Sequence, residues 1–369
     1  MLEQQSALRE LDQRIVDSFS QRGYHLVDLP MLQPADLFLT RAGDRVIEKL
    51  VTLESHKHLL ALRPEFTAPA LSSYITAHHQ QVARWQFSGA IFEQLANTII
   101  QKHSWGVELI GQSDVAADAE IILTALHGLK ALFQQPLQLR MGHVGLQTQL
   151  LRSFGLDSRT VHFLLERRNA LHHPEETKLL HQQLIDLIGD ADELTQTVDH
   201  QHLSQVFLAS VPESTTMGGR NRQEIAERLF SKRFRANEQA RIEDILNFLQ
   251  RWSKISDAAE PAFAQIDELV KLTKLAHVPV LTDFKRLYEQ VSSALPEDTS
   301  IIIQADSSLN WEYYSGVVFS VHSAEGQKLA GGGRYDELAG LLGSSQPIPA
   351  VGFAYYAETL LNMKDNSGS

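Results

Sequence analysis

Near the C-terminus, two β-rich runs flank a short polar turn. The first is Asp306-Ser-Ser-Leu-Asn-Trp-Glu-Tyr-Tyr-Ser-Gly-Val-Val-Phe-Ser-Val321. The second is Leu329-Ala-Gly-Gly-Gly-Arg-Tyr-Asp-Glu-Leu338, and Ser323-Ala-Glu-Gly-Gln-Lys328 lies between them. Such a pair reads as a hairpin with a glycine-containing loop. Strand alternation would send Trp311, Tyr313 and Ser315 to one side, and Glu312, Tyr314 and Gly316 to the other. A carboxylate and a phenol would then share a face with a glycine. Gly331, Gly332 and Gly333 let the backbone approach a neighbour closely just before Arg334 and Tyr335.

The two runs resemble the two histidine-specific motifs of histidyl-tRNA synthetases, on Glu312-Tyr-Tyr-Ser-Gly316 and Gly331-Gly-Gly-Arg-Tyr-Asp-Glu-Leu338. More closely, the chain resembles the non-catalytic relatives of those enzymes, the regulatory subunits of ATP phosphoribosyltransferase. The rest of the sequence can be read against that resemblance.

With 369 residues, 43% of them hydrophobic, the chain can bury a large core and is long enough for two or three domains. No apolar run has membrane-spanning length, and Met1-Leu-Glu-Gln-Gln is no secretory start, so a soluble cytoplasmic protein is expected. The absence of cysteine excludes disulfides, thiolate metal sites and cysteine nucleophiles. The net charge of −12 disfavours general nucleic-acid binding, which depends on neutralising phosphates.

Leu8, Leu11, Ile15 and Phe19 recur at helical spacing, and Gly23 is a stop. Tyr24 to Leu29 reads as a strand ended by Pro30. The unit resembles motif 1 of class II synthetases, which implies a dimer interface; Gln33 stands where the family has glutamate. A hairpin is expected from Lys49–Leu53 and His58–Leu62, followed by the corner Arg63-Pro-Glu-Phe-Thr67. There the proline disfavours helix at Arg63 and Thr67 can cap the next helix, with Pro69 in its first turn. The corner reads either as a solvated strand-to-helix turn or as the Arg-Pro-Glu-Gly-Thr corner of histidyl-tRNA synthetases, with Phe66 in place of glycine. The second reading gives Glu65 and Thr67 the α-amino group of histidine.

Ala83–Phe92 and Ser104–Gly111 read as antiparallel strands and resemble the motif 2 hairpin. Glu108 lies amid apolar residues, so it must be paired or face a polar pocket. The pairing reading is a salt bridge to a neighbouring strand; the resemblance instead places it opposite the imidazole. A helix over Asp118–Phe133 and a strand over Leu137–Met141 follow. From 157 to 295 helical periodicity with polar breaks suggests a helical insertion between a first part, 1–156, and a second, 296–369. It holds Arg220, Arg222, Arg228, Lys232, Arg233 and Arg235, interleaved with Glu224 and Glu227. That pattern suits a solvated face or a docking surface for an acidic partner better than nucleic acid. The 16 histidines show no ligand spacing, so no metal and no cofactor are expected.

Where class II synthetases hold ATP phosphates with arginine, this chain departs. The resemblance puts the three arginine positions at Glu93, Leu309 and Thr359. Cations there would stabilise the adenylating transition state, so catalytic residues are not expected. The histidine-pocket positions are Glu65, Thr67, Ser104, Glu108, Tyr314 and Tyr335, with serine at 104 in place of glutamine. The sequence runs only ten residues past Thr359, which leaves no length for an anticodon-binding domain, so tRNA is not an expected partner.

The resemblance therefore implies an α/β fold of α+β type: a class II synthetase-like, mainly antiparallel sheet with flanking helices and a helical insertion. It implies a homodimer within a hetero-oligomer with the short-form catalytic ATP phosphoribosyltransferase. It also implies a role in the first step of histidine biosynthesis and its feedback by histidine, the ligand of the pocket. A stand-alone histidine sensor and a divergent amino-acid-activating synthetase are the alternatives.

Overall fold

The computed structural model describes residues 2–39, 47–55, 58–96, 98–173, 175–185, 187, 240–273, 275–307 and 313–367. The chain divides into two compact units. The first comprises 1–147, 255–265 and 276–369, and the second 148–254 and 266–275. These bounds place 148–156 in the second unit and 276–295 in the first, whereas the sequence suggested an insertion over 157–295. The basic run 220–235 lies outside the described residues.

The strands are β1 (His25–Leu26), β2 (Leu32–Pro34), β3 (Thr52–Ser55), β4 (His58–Leu62), β5 (Ala83–Leu95), β6 (Thr98–Ile110), β7 (Leu137–His143), β8 (Ser256–Asp257), β9 (Thr299–Gln304), β10 (Val317–Ser323), β11 (Lys328–Arg334) and β12 (Ala350–Tyr356). Nine of them form one sheet among the described residues, in the order β1-β5-β6-β12-β11-β10-β7-β9-β8. Only β1–β5 and β7–β9 are parallel. The three others form a small antiparallel sheet, β2-β4-β3. This is the mainly antiparallel sheet with flanking helices expected from the sequence.

Alternation along the strands gives the large sheet two different faces. One is covered by the Leu2–Ser20 and Val115–Leu132 helices. Leu11, Ile15 and Phe19 of the first are buried, at the spacing the sequence indicated. Phe19 packs edge-on to Phe353 at 5.7 Å and stacks on Tyr355 at 5.6 Å. Polar contacts reinforce this layer: Trp105 Nε1 donates to Asp12 at 2.7 Å, and Tyr355 donates to the Ala125 carbonyl at 2.9 Å. Asp114 caps the second helix by accepting from Ala117 N at 2.9 Å. Gly23 ends the first helix with φ of +82°, where a side chain would be strained. After it, only His25 and Leu26 pair as strand, a shorter element than Tyr24–Leu29.

The C-terminal hairpin forms as β10 and β11, but its first strand starts at Val317. Ser315 N and Gly316 N both donate to the Arg334 carbonyl, at 2.9 and 3.2 Å. Two residues thus oppose one, so the alternation expected over 313–316 does not hold, and Trp311 and Glu312 lie outside the described residues. Ahead of this pairing, Tyr313 and Tyr314 lie outside any strand, with their ring centroids 4.9 Å apart.

In the second unit, the Ser158–Glu166 helix is capped by Asp157, which accepts from Thr160 N at 2.7 Å. Leu164, Leu184, Ile245 and Leu249 are buried. Phe154 meets Phe248 at 5.5 Å, and Arg241 ties the chain ahead of them by donating to the Phe154 and Gly155 carbonyls.

Candidate functional site

The opposite face of the large sheet, on which the Thr67–Thr76 helix packs, carries the site. Glu108 on β6 sits between Trp85 of β5 and Gly352 of β12, and is buried. A side chain at 352 would overlap the Glu108 carboxylate, so glycine is what lets that carboxylate fit. Its partners are hydroxyls. Thr67 Oγ1 donates to Oε1 at 2.6 Å, and the Tyr335 hydroxyl donates to Oε2. The salt bridge considered from sequence is therefore not what satisfies Glu108. No cation offsets its charge among these contacts, and burial pushes its carboxyl up to about 8.

Thr67 opens the Thr67–Thr76 helix, but its hydroxyl does not cap it. Glu65 does so instead, accepting from Thr67 N and from Ala68 N, the latter at 2.9 Å. With the helix's first N–H groups satisfied by a carboxylate, the Thr67 hydroxyl is free to turn to Glu108. Burial also pushes Glu65 up to about 7, against the pull of those hydrogen bonds. One residue thus ties two carboxylates to each other. Tyr313, Tyr314 and Tyr335 complete the lining, with Tyr314 and Tyr335 centroids 6.5 Å apart. Burial holds all three hydroxyls well above their usual range. Glu65, Thr67 and Tyr314 are only partly buried and form the accessible side, while Glu108 and Tyr335 form the floor.

Two of the three glycines ahead of Tyr335 are required by packing. A Cβ at Gly333 would come within 2.9 Å of the Tyr314 ring, and one at Gly332 within 2.5 Å of Phe353 Cβ. Arg334 points to the other face. It is buried and bridged to Asp118 at 2.8 Å and to Asp336 at 3.0 Å. Asp336 in turn accepts from Ala350 N at 2.9 Å, which sets Tyr335 between β11 and β12.

The structure gathers Glu65, Thr67, Glu108, Tyr314 and Tyr335. Ser104 lies on the same face of β6, two alternations away, beside Gly89 and Tyr356. Gly106 separates it from Glu108, and the Phe87 ring lies over that glycine, 2.6 Å from where a Cβ would be. Sequence reasoning overlooked Gly352 and Arg63. Arg63 is buried and donates to the Ala90 carbonyl at 2.8 Å and to that of Leu29. Its signal was available, since it begins the same five-residue corner.

Of the three positions that the resemblance assigns to phosphate-binding arginine, Glu93 lies at the outer end of β5. It bridges Lys49 at 2.6 Å and Lys102 at 2.7 Å, which holds its carboxyl below the usual range. Thr359 is in the first turn of the Ala357–Ser367 helix, and Leu309 lies outside the described residues.

A mainly antiparallel sheet with flanking helices, carrying paired carboxylates and tyrosines on one face, defines a class II synthetase-like fold. A family model described as histidyl-tRNA synthetase matches residues 1–360. The chain is 31% identical over 95% of its length, and 96% of the relative's, to an ATP phosphoribosyltransferase regulatory subunit of Chelativorans sp.. It is 28% identical over 92% of its length, and 93% of the relative's, to one of Brucella anthropi. Among solved structures it is similar to an ATP phosphoribosyltransferase regulatory subunit/histidyl-tRNA synthetase of Bacillus halodurans. There the TM-score is 0.67 at 18% identity, covering 97% of this chain and 79% of that one. The histidyl-tRNA synthetase of Nostoc sp. gives a TM-score of 0.66 at 14% identity, with 99% and 73% covered. The chain belongs to the histidyl-tRNA synthetase-like family of ATP phosphoribosyltransferase regulatory subunits.

Proposed function

We propose that this chain is a non-catalytic regulatory subunit that assembles with a short-form catalytic ATP phosphoribosyltransferase in the cytoplasm. It supports the first step of histidine biosynthesis and carries its feedback by histidine. The observation that carries the reading is a contrast on one sheet face. The pocket end keeps two carboxylates and convergent hydroxyls, while Glu93 puts an anion where phosphates would need a cation. Glu65 suits an ammonium group and Glu108 an imidazole N–H. A ligand held there couples to a partner's activity if it prefers one state of the complex.

A second copy of the chain belongs in this reading. On β2-β4-β3, Leu32 pairs with Leu62 and Leu53 with Leu60, so these four leucines share a face. Leu32 and Leu53 are 44% and 45% exposed, a surface that suits a homodimer.

The test mixes the purified catalytic chain with this one and follows phosphoribosyl-ATP formation. The catalytic chain should be weak alone, gain activity on addition, and then be inhibited by histidine. A catalytic chain equally active alone, or two chains that never co-elute, would remove the regulatory reading.

A further inference from the structure

Beyond Glu108, the same face of β5 and β6 runs outward in paired rows: Phe87 beside Gly106, Gly89 beside Ser104, Ile91 beside Lys102 and Glu93 beside Ile100. The first two rows are filled by the protein itself. The Phe66 ring stacks on Phe87 at 4.2 Å with 11° between planes. The Arg63 guanidinium lies over Phe66 at 4.0 Å and reaches past it to Gly89, where a Cβ would be 2.8 Å from Nη2. Arg63, Phe66 and Phe87 are 5%, 2% and 2% exposed.

This stack is anchored rather than loosely packed. The guanidinium donates to the Ala90 and Leu29 carbonyls, which lie on β5 and just before Pro30. Swinging it aside would leave a buried cation and two carbonyls unsatisfied. Phe66 and Phe87 belong to one apolar cluster with Leu29 and Ala70. Phe66 also stands where the corner it resembles has glycine, so one side chain supplies the middle of the stack.

We propose that Arg63, Phe66 and Phe87 form an end wall of the Glu65–Glu108 pocket and set the length of its ligand. The pocket admits a free amino acid, with its ammonium at Glu65 and its ring at Glu108. It excludes the same amino acid extended through its carboxyl group toward Ser104 and Glu93. This inference rests on the amino-acid reading of the pocket, and its specific content is the exclusion.

Calorimetric titration of the full chain with L-histidine and with L-histidine benzyl ester tests it. In the wild type the ester should bind ~10-fold or more weakly than histidine, because an added group meets a filled wall. Phe66→Ala should narrow that gap to within about threefold, and Phe66→Leu and Phe87→Leu, which keep an apolar side chain in the cluster, should narrow it in part. Thermal melts report that each variant is folded. Equal binding of both compounds by the wild type overturns the wall, as does undiminished discrimination in the folded variants. A wild type that binds neither compound overturns the amino-acid reading and the wall with it.

Discussion

Thr67 Oγ1 donates a 2.6 Å hydrogen bond to Glu108 Oε1, while the Thr67 backbone N–H donates to Glu65. The two carboxylates are therefore held by one residue at a helix start, with no cation between them among the described residues. Burial raises Glu65 to about 7 and Glu108 to about 8, so near pH 6 the empty pocket carries protons. A ligand cation takes their place. Histidine binding should thus release protons and strengthen as pH rises from about 6 to 8. Titrations in buffers of different ionisation enthalpy measure the number released. Binding with no proton release, or weakening over that window, would contradict the arrangement.

Stability of the empty protein should move the opposite way. Both folded values lie above the unfolded one, so the folded state holds more protons and stability falls as pH climbs through this range. For Glu108 alone the difference is on the order of 3–5 kcal/mol between pH 4.5 and 8. Glu108→Gln keeps the size without the titration, at the cost of turning one of the two hydroxyl partners from donor to acceptor. Its melting temperature should depend less on pH than that of the wild type.

Tyr335→Phe removes one donor to a buried carboxylate and nothing else. Leaving Glu108 with Thr67 alone should weaken histidine binding by about 1–3 kcal/mol. Tyr314→Phe removes neither of the two hydroxyls that donate to Glu108, and should cost less. Calorimetry of the two variants side by side gives the order. A larger loss at Tyr314 would mean that the floor and the entrance are assigned the wrong way round.

The sequence made the frame legible because its signals are local. Leu11, Ile15 and Phe19 at helical spacing are the buried stripe of the first helix, and the polar turn at 323–328 joins β10 to β11. Glu108 stood out because an acid amid apolar residues needs partners. What those partners are was not legible: Thr67 is 41 positions away and Tyr335 227. The same holds for Gly352, whose role exists only once β12 is set beside β6. The alternation over 313–316 failed for a different reason, since the two-against-one pairing opposite Arg334 is a backbone feature that side-chain pattern does not record. Thr67 misled as a cap because Glu65, two residues before it, takes that role with a charge.

Glu93 tests whether the outer end of this sheet face can support phosphate chemistry. Its two lysines are partly exposed, so the bridges contribute little to stability, and Glu93→Gln should cost no more than ~1 kcal/mol. Glu93→Arg puts three cations together and should cost more at low salt, with the difference shrinking as salt is added. Neither variant should gain histidine-dependent pyrophosphate–ATP exchange, because Thr359 leaves a second arginine position neutral. Exchange appearing in Glu93→Arg would show that a single charge reversal had silenced an otherwise complete site.

Gly352 offers the sharpest geometric test, because β12 brings its Cα directly against the Glu108 carboxylate. A methyl group there would overlap Oε2 and lie 2.5 Å from the carboxyl carbon, with the Val107 carbonyl 2.6 Å away. The carbonyl belongs to a paired strand and cannot retreat, so the carboxylate must. Gly352→Ala should therefore push Glu108 off its two hydroxyl partners, destabilise by about 1–3 kcal/mol as other overpacked cores do, and abolish histidine binding. Gly340→Ala is the matched control, since nothing lies within 4 Å of its added methyl group. That residue sits in the short Leu338–Leu341 helix, where alanine is favoured over glycine, so stability should hold or rise and binding should not change. Melting curves and calorimetry on both variants give the comparison. If Gly352→Ala binds histidine as the wild type does, Glu108 is not the group that receives it.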